Sequence, residues 1–358
     1  MPPLIAHVTP SFGAGGAQVR AVQLMNRFAG EYRHLVVSMS GDTGAAGRVA
    51  PDVDIEILTG FGDRNPLRSS RQLSGLFRKR QPDLVLTYNW GAIDGVTAAI
   101  LGGIPVIHAE DGFGDDEAHA QKPRRVWFRR ILLRGAVRVV APSLTLVDIM
   151  RKTWRVPDKL IEYIPNGVDS DRFCPGPSSG HTDVIVGTAG LLRREKRQEV
   201  LIEAFSKAGP KMKLVIAGED PERRRLEQAA AASGAADRIS LPGHIESMPE
   251  FYREIDIFAL SSSTEQMPIS VLEAMASGLP VVSTDAGDIR RMVAPENAAY
   301  VCDASEMPAA LAKLSGDAAL RQCIGSANRA RAVSEYGLEK MFLRYHKLYC
   351  SAVRPSGD

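Results

Sequence analysis

Short apolar runs alternate with helical stretches in two successive series, and this alternation constrains the 358-residue chain more than any other feature. In the first half the strand candidates are Leu4–Val8, His34–Met39, Asp54–Leu58, Asp83–Thr87, Ile104–His108 and Val137–Ala141. Helical patterns lie between them, as at Gln18–Phe28, Leu67–Arg78 and Pro123–Leu133. A second series starts near Asp183, with strands expected at Val184–Thr188, Lys213–Ala217, Arg238–Leu241, Ile257–Leu260 and Leu279–Ser283. Runs this apolar suit parallel strands covered on both faces. Two series imply two doubly wound α/β domains, and the length is more than one core ordinarily takes. Turn residues concentrate from Pro165-Asn166-Gly167-Val168-Asp169 to Pro175-Gly176-Pro177-Ser178-Ser179-Gly180, which marks the boundary. The expected spans are 1–168, 169–335 and a closing helix within 336–358, around Leu338–Ala352, with no strand after it. The halves share architecture but no sequence repeat.

Composition removes several classes. Hydrophobic residues make up 44% and charged residues 24%, as in an ordinary globular protein. A net charge of +2 gives no global attraction to nucleic acid. The start, Met1-Pro2-Pro3-Leu4-Ile5-Ala6-His7, lacks the basic and apolar parts of a signal peptide. The apolar window Gly95–Ile107 is broken by Gly102, Gly103 and Pro105, too short to span a bilayer. Cys174, Cys302, Cys323 and Cys350 have no CxxC spacing and read as free thiols of a reducing cytoplasm. Asp52-Val53-Asp54 and Asp169-Ser170-Asp171 have the Asp-x-Asp form of some metal sites, but that form is common by chance, and both read as structural. No HExxH, phosphate-loop lysine or Gly-x-Ser-x-Gly is present. No metal and no cofactor are expected.

The densest chemistry lies in Ser263-Thr264-Glu265-Gln266-Met267-Pro268-Ile269-Ser270-Val271-Leu272-Glu273, followed by Ala274-Met275-Ala276-Ser277-Gly278-Leu279-Pro280-Val281-Val282. It reads as loop, helix, stop and buried strand. Pro268 suits a first helical turn, and Gly278 suits a left-handed cap. Glu265 then precedes a helix start and Glu273 lies within the helix. Two carboxylates around free backbone N–H groups suit a polyhydroxylated, anionic ligand. Two surface glutamates near a helix are the plainer reading.

Other segments fall at strand ends, where ligands of α/β sheets collect. Gly13-Ala14-Gly15-Gly16-Ala17-Gln18 opens the first helix, with Gly15 and Gly16 as the residues of closest backbone approach. It lacks the spacing of a dinucleotide fingerprint, and a tight turn also explains it. Gly190-Leu191-Leu192-Arg193-Arg194-Glu195-Lys196 puts cations between a strand and a helix. They could hold a diphosphate, or be a solvated basic turn. His108 ends a strand and is followed by Glu110 and Asp111, carboxylates able to take a proton from a ligand hydroxyl. Gly287 sits in Thr284-Asp285-Ala286-Gly287-Asp288, between a strand and a short helix.

The Glu265–Val282 segment strongly resembles the donor-binding signature of the group 1 (family 4) retaining glycosyltransferases. The resemblance extends over nearly the whole chain, specifically in the second half and loosely in the first. It implies the GT-B fold: α/β, with two Rossmann-like doubly wound domains facing a central cleft, and a last helix crossing back to the N-terminal domain. The Pro-Asn-Gly-Val-Asp string with Phe173 is similar to the family's interdomain segment.

By that resemblance Glu265 contacts the donor sugar, and Glu273 holds the nucleotide ribose. The N–H groups of Met267, Ile269 and Ser270 approach the sugar and diphosphate. The Gly15–Gly16 loop, with Gln18 in place of a family Glu, borders diphosphate and acceptor. Gly287 lines the donor site. His108 lies near the reactive carbon. Where the family has Gly-Arg-Leu followed by Lys, Lys196 matches and Leu191 replaces the Arg. Arg193 or Arg194 is left to supply the second cation, with Arg193 favoured.

The expected activity is metal-independent, retaining transfer of a hexosyl or N-acetylhexosaminyl group from a UDP- or GDP-sugar to a hydroxyl acceptor, in polysaccharide, lipopolysaccharide or glycolipid synthesis. A sugar-nucleotide epimerase of the same fold and a non-catalytic nucleotide-sugar binding protein are the alternatives.

One basic stretch stands apart. Lys122–Arg134 has no acidic residue, and on a helical projection Trp127, Phe128, Ile131 and Leu132 share a face away from Arg125, Arg129, Arg130 and Arg134. Arg124 falls in the apolar arc, and Val126 and Leu133 fall among the arginines. Such a helix suits peripheral contact with the inner face of an anionic membrane, or a core-packed helix with a solvated basic side.

Overall fold

The computed structural model describes residues 1–353 except 14, 64, 114–116, 118–119, 177–182 and 220. Ala14 of the glycine loop, Pro177–Gly180 of the expected boundary and 354–358 of the C-terminal span therefore lie outside the described residues. The chain divides into two compact units. One comprises Met1–Phe113, Ala120–Pro165 and Met341–Asp358, and the other Gly114–His119 and Asn166–Lys340.

The first unit runs β1 (Leu4–Thr9), α1 (Gly16–Arg27), β2 (Arg33–Ser38), β3 (Ile55–Thr59), α2 (Pro66–Arg80), β4 (Leu84–Tyr88), α3 (Ile93–Leu101), β5 (Val106–Ala109), α4 (Pro123–Leu132), β6 (Arg138–Ala141), α5 (Leu144–Lys152) and β7 (Ile161–Tyr163). Its sheet is parallel, in the order β3-β2-β1-β4-β5-β6-β7. The order reverses between β1 and β4, which places a topological switch point at their carboxyl ends. At the opposite, amino end of the same pair Asp83 helps fix the register, its Oδ2 accepting from Leu4 N at 2.7 Å.

The second unit runs β8 (Val184–Ala189), α6 (Gln198–Lys207), β9 (Met212–Ala217), α7 (Arg223–Ala232), β10 (Ile239–Gly243), α8 (Met248–Glu254), β11 (Ile257–Leu260), α9 (Ile269–Ala276), β12 (Val281–Thr284), α10 (Ile289–Met292), β13 (Val301–Cys302), α11 (Met307–Gly316) and α12 (Ala318–Tyr336). Its parallel order is β10-β9-β8-β11-β12-β13. Successive strand residues point to opposite faces, so each strand feeds two cores. Phe258 and Leu260 join one buried cluster with Val281, while Ile257 and Ala259 join another with Val282. The last helix, α13 (Leu338–Ala352), has Met341 onward grouped with the first unit. Among the described residues no helix is long and apolar enough to cross a membrane.

Several expectations change in detail. The edge strands β7 and β13 were not legible: they hold three and two residues, and β7 is only half-buried, so neither makes an apolar run. Helix α1 begins at Gly16, two residues before expected, with Gly15 as its N-cap. Pro268 lies outside the first turn of α9. Its ψ of 125° is extended, which makes it the N-cap, and the helix starts at Ile269. The stop of α9 is a full Schellman motif: Leu279 N donates to Ala274 O and Gly278 N to Met275 O, both at 3.0 Å, with Gly278 at φ +77°.

Helix α4 also departs from its expected faces. Arg129, expected on a solvated basic side, is 1% exposed, and Leu133 just beyond the helix is buried, whereas Trp127 and Ile131 are exposed. Val126 and Leu133 fell among the arginines in sequence because that arc faces the core.

Candidate active site

In the second unit, two loops at the carboxyl end of the sheet are tied together by serines. The turn Arg194–Lys196 follows β8, and the loop 261–268 follows β11. Ser261 Oγ donates to the carbonyls of Lys196 and Arg197 at 2.9 and 2.8 Å, and Ser263 N donates to Glu195 O at 2.8 Å. Thr284 Oγ1, at the end of β12, holds Ser262 O at 2.7 Å. These bonds bring Lys196 Nζ to 2.6 Å from Glu265 Oε1, which also accepts from Ser262 Oγ at 2.8 Å. Their side chains remain 25% and 10% exposed, so the pair is open to a ligand.

Gly287 completes this corner. Its φ is +60°, and a Cβ there would lie 2.3 Å from Glu265 O and 2.8 Å from Gln266 O. Only glycine allows that approach. Asp288 N donates to Gln266 O at 2.9 Å, closing the loop onto α10. Met267 is buried, its carbonyl accepting from Asn166 Nδ2 at 2.8 Å. Asn166 thus ties the Pro-Asn-Gly segment to the site loop, a role the turn composition did not reveal.

Ile269 and Ser270 open α9, which has no side-chain cap and no acidic residue in its first turn. A helix start of this kind presents backbone donors and a positive dipole end. Glu273 lies one turn along, and Tyr252 of α8 donates its hydroxyl to Glu273 Oε2 at 2.9 Å and to Ser270 O at 3.1 Å. Burial first, then the Glu273 charge, hold the Tyr252 hydroxyl well above its ordinary pKa. It therefore remains a proton donor that fixes one oxygen of Glu273. Sequence reasoning missed Tyr252, since a tyrosine in a short apolar helix carries no motif.

Arg193 is half-exposed, with its guanidinium 3.9 Å from Glu195, and Arg194 reaches Glu222 at 3.3 Å. Leu191 is 38% exposed. Arg197, next to Lys196, holds a left-handed φ of +48°. The structure thus brings Lys196, Glu265, Gly287, Met267, Ile269, Ser270 and Glu273 into one neighbourhood. Arg193 lies on its rim, paired loosely.

In the first unit Gly15 caps α1, which lacks a side-chain cap and an acidic first turn. Gly16 is its first residue. Gln18 Nε2 donates to Ser11 O at 2.8 Å and Thr9 Oγ1 at 3.2 Å, and a Cβ on Gly15 would lie 2.5 Å from Gln18 Oε1. Gln18 therefore pins the glycine loop to the end of β1.

His108, Glu110 and Asp111 are accounted for differently. His108 on β5 is fully buried, with Nδ1 2.8 Å from Thr87 Oγ1 and Nε2 3.5 Å from Glu110. Glu110 has no exposure either, and its carboxylate is 3.3 Å from Arg129 Nε. Asp111 is gripped at both oxygens by Arg20, at 2.5 and 2.8 Å. Burial works against the Arg20 charge, but Asp111 and neighbouring tyrosines outweigh it and hold the guanidinium charged. An ion pair of this geometry fixes the Asp111 carboxylate in place. Of the three, Asp111 alone retains side-chain exposure, 12%.

Behind this end of the sheet runs a buried chain that sequence reading did not find. His7 Nδ1 lies 3.0 Å from Tyr88 OH, and His7 Nε2 lies 3.0 Å from His34 Nδ1. Burial lowers the His34 pKa to about 4. His7 and His34 lie within strand runs, and nothing in the sequence pattern signalled their partnership. The two Asp-x-Asp strings have local duties. Asp169 Oδ1 accepts from the N–H groups of Asp171 and Arg172, and Asp54 O accepts from His34 N.

Comparison with known proteins decides the family. The description "Glycosyl transferases group 1" matches residues 175–337, and "Glycosyltransferase Family 4" matches residues 14–172. This chain is a group 1 (family 4) glycosyltransferase. The glycosyltransferase is 27% identical over 191 residues to the mannosylfructose-phosphate synthase of Agrobacterium fabrum, covering 47% of this chain but only 42% of that protein. It is 24% identical over 311 residues, 80% of each chain, to the UDP-Gal:alpha-D-GlcNAc-diphosphoundecaprenol alpha-1,3-galactosyltransferase of Escherichia coli. The fold matches Anabaena HepE, solved in complex with UDP and glucose, with a TM-score of 0.82, 18% identity, and coverage of 98% of this chain and 100% of the other. The architecture is accordingly α/β GT-B.

Proposed function

We propose that this glycosyltransferase retains anomeric configuration while moving a hexosyl or N-acetylhexosaminyl group from a nucleotide-diphosphate sugar to a hydroxyl acceptor. The observation that carries this reading is the Lys196–Glu265 pair, 2.6 Å apart beside Gly287 and the uncapped start of α9. A donor entering there exchanges the Lys196–Glu265 contact for two: Lys196 to the diphosphate and Glu265 to a sugar hydroxyl. Glu273, oriented by Tyr252, takes the ribose, while Met267, Ile269 and Ser270 line the diphosphate path. The bond from the anomeric carbon to the diphosphate oxygen breaks. The acceptor oxygen bonds to that carbon on the same face, and the acceptor proton passes to the departing diphosphate.

Negative charge grows on the diphosphate as the bond breaks. Lys196, with Arg193 beside it, therefore stabilises the transition state more than the ground state. These cations, with the helix starts, make a metal unnecessary in this reading. In the acceptor-side span 1–168, Gly15 and Gly16 offer an uncapped helix start to an anion, and His108, wholly buried, supports the end of β5 from within the sheet. Asp111, with Glu110 behind it, shapes the acceptor side. The donor span is 169–335 and the closing helix lies in 336–358.

HepE was solved with UDP, and the Escherichia coli relative is named for a UDP-sugar donor and a lipid-diphosphate-linked acceptor. They support a UDP-sugar donor and a lipid-linked saccharide acceptor; the place this reading assigns to the reaction is the cytoplasm, at the inner membrane face. A thermal-shift screen of nucleotide sugars tests the donor, because a ligand bound only by the native state raises Tm. NMR of the product anomer with EDTA present then tests the chemistry. An inverted product, or transfer abolished by EDTA, defeats it. Leu191, exposed where the family carries a cation, favours one second reading, a nucleotide-sugar binder without turnover. Donor binding with neither transfer nor hydrolysis would select it, and donor turnover without acceptor would select an epimerase.

A further inference from the structure

Helix α4 is turned inside out. Arg129 lies in the core of its unit, its guanidinium 4.6, 5.0 and 5.7 Å from the ring centroids of Trp154, Trp90 and Phe113, and its Nε 3.3 Å from Glu110. On the opposite side Trp127 is 57% exposed and Ile131 49%. At 3.6 residues per turn, Pro123, Arg124, Trp127, Ile131 and the following Arg134 fall within an arc of about 100° facing away from Arg129. Folding by itself selects the reverse, with the indole inside and the guanidinium in water. The buried Arg129 fixes the roll of the helix and commits the apolar pair to the outside.

The surroundings say what that face meets. No Asp or Glu occurs from residue 118 to residue 147, while Arg124 and Arg134 are exposed on the same arc. Beside Trp127 lies an open cleft of about 550 Å³, with Arg130 in its wall. Arg130 spends its Nε–H on Thr153 O at 2.8 Å, which anchors the guanidinium at the cleft.

We propose that this face rests on an anionic lipid bilayer. Trp127 and Ile131 enter the boundary between headgroups and acyl chains, Arg124 and Arg134 lie against lipid phosphates, and one headgroup phosphate occupies the cleft at Arg130. A second copy of the chain is a poorer occupant, because two such faces would oppose like-charged arginines. The contact would bring the enzyme to a membrane-borne acceptor; for that purpose, though not for its chemistry, it rests on the lipid-linked reading given above.

The test is co-sedimentation of the full chain, at low and high salt, with vesicles of phosphatidylcholine alone or of phosphatidylcholine mixed with phosphatidylglycerol to give a negative surface potential. Binding is expected only to the anionic vesicles, released by salt, with a blue shift of tryptophan emission that is lost in Trp127→Phe. Arg124→Glu with Arg134→Glu should weaken binding at least about twenty-fold, since each basic residue contributes about fivefold. Trp127→Ser with Ile131→Ser should abolish the emission shift while leaving Tm and transfer to a water-soluble acceptor unchanged. Equal binding to neutral vesicles, no binding at low salt, or concentration-dependent dimerisation lost in the double serine variant would each overturn the proposal. Vesicle binding without any glycosyl transfer would instead sink the reaction and spare this surface.

Discussion

Lys196 and Glu265 in the second unit keep 25% and 10% of their side-chain surface in solvent, whereas His108 and Glu110 in the first keep none. Both pairs lie at carboxyl ends of parallel strands, and both are charged or polar. In the second unit the neutralising contact is one exchangeable salt bridge between loops held by serine hydroxyls. In the first, each group faces an internal partner: His108 is hydrogen-bonded to Thr87, Asp111 is held by Arg20, and the buried Glu110 carboxylate lies 3.3 Å from Arg129 and 3.5 Å from His108 without a hydrogen bond to either. A ligand can displace the first kind of contact at modest cost. It cannot displace the second without uncovering buried charge. The corner at Lys196 in the second unit is thus set up to exchange partners, and the end of β5 in the first to hold shape.

That contrast can be broken by substitution. The largest expected effect is on the rigid side. Arg129→Met deprives the wholly buried Glu110 carboxylate of its guanidinium and should cost about 3–5 kcal/mol of stability. Urea unfolding measures it, and a loss below about 1 kcal/mol would show that the Arg129–Glu110 contact does not hold the fold. Next is Lys196→Ala, expected to lower kcat by about 10²–10³, as for removal of a fixed transition-state donor, with donor Kd changed far less. An equal loss in binding and turnover would place Lys196 in ground-state recognition.

Glu273→Gln should weaken donor binding by about 1.5–3 kcal/mol, ten- to a hundredfold, with Tm in the absence of donor barely moved because Tyr252 can still donate to the amide oxygen. Calorimetric titration with a nucleotide sugar gives the answer, and unchanged affinity in a folded variant removes Glu273 from the site.

The last effect concerns the His7–His34 chain. The folded pKa of His34 is about 4 against an ordinary value of 6.5, so the unfolded chain binds the proton more readily between those values. Stability is then full above about pH 6.5 and falls as pH drops toward 4, by up to about 1.4 kcal/mol per pH unit in that window. Urea midpoints at pH 7, 5.5 and 4.5 should show the decline, and His34→Asn should make it shallower, since buried His7, also held well below its ordinary pKa, still contributes. Parallel curves for the two proteins would assign the decline to other groups.

The Ser263–Val282 segment was legible because its residues are contiguous and each one reports on its own backbone. Gly278 must be left-handed after a helix, Val281 and Val282 must be buried, and Glu265 and Glu273 follow in register from those. Pro268 was misplaced by one position, since proline fixes φ but not ψ. Asn166 and Tyr252 escaped notice because they reach the site from other parts of the chain, 101 and 21 residues from Met267 and Glu273.

On α4 the spacing of residues did record two opposed arcs. What spacing lacks is a sign: it says which residues share a side, not which side is inward. Local sequence thus determined the strand–helix order, the two parallel sheets and the donor loop, because hydrophobic period, turn residues and caps act over a few positions. Only tertiary packing decided that Arg129 is buried and Trp127 exposed, and that His108 and Glu110 face inward. Trp90, Phe113, Trp154 and Glu110 come from distant segments, and together they offset the desolvation of a guanidinium that no nearby residue could have made tolerable.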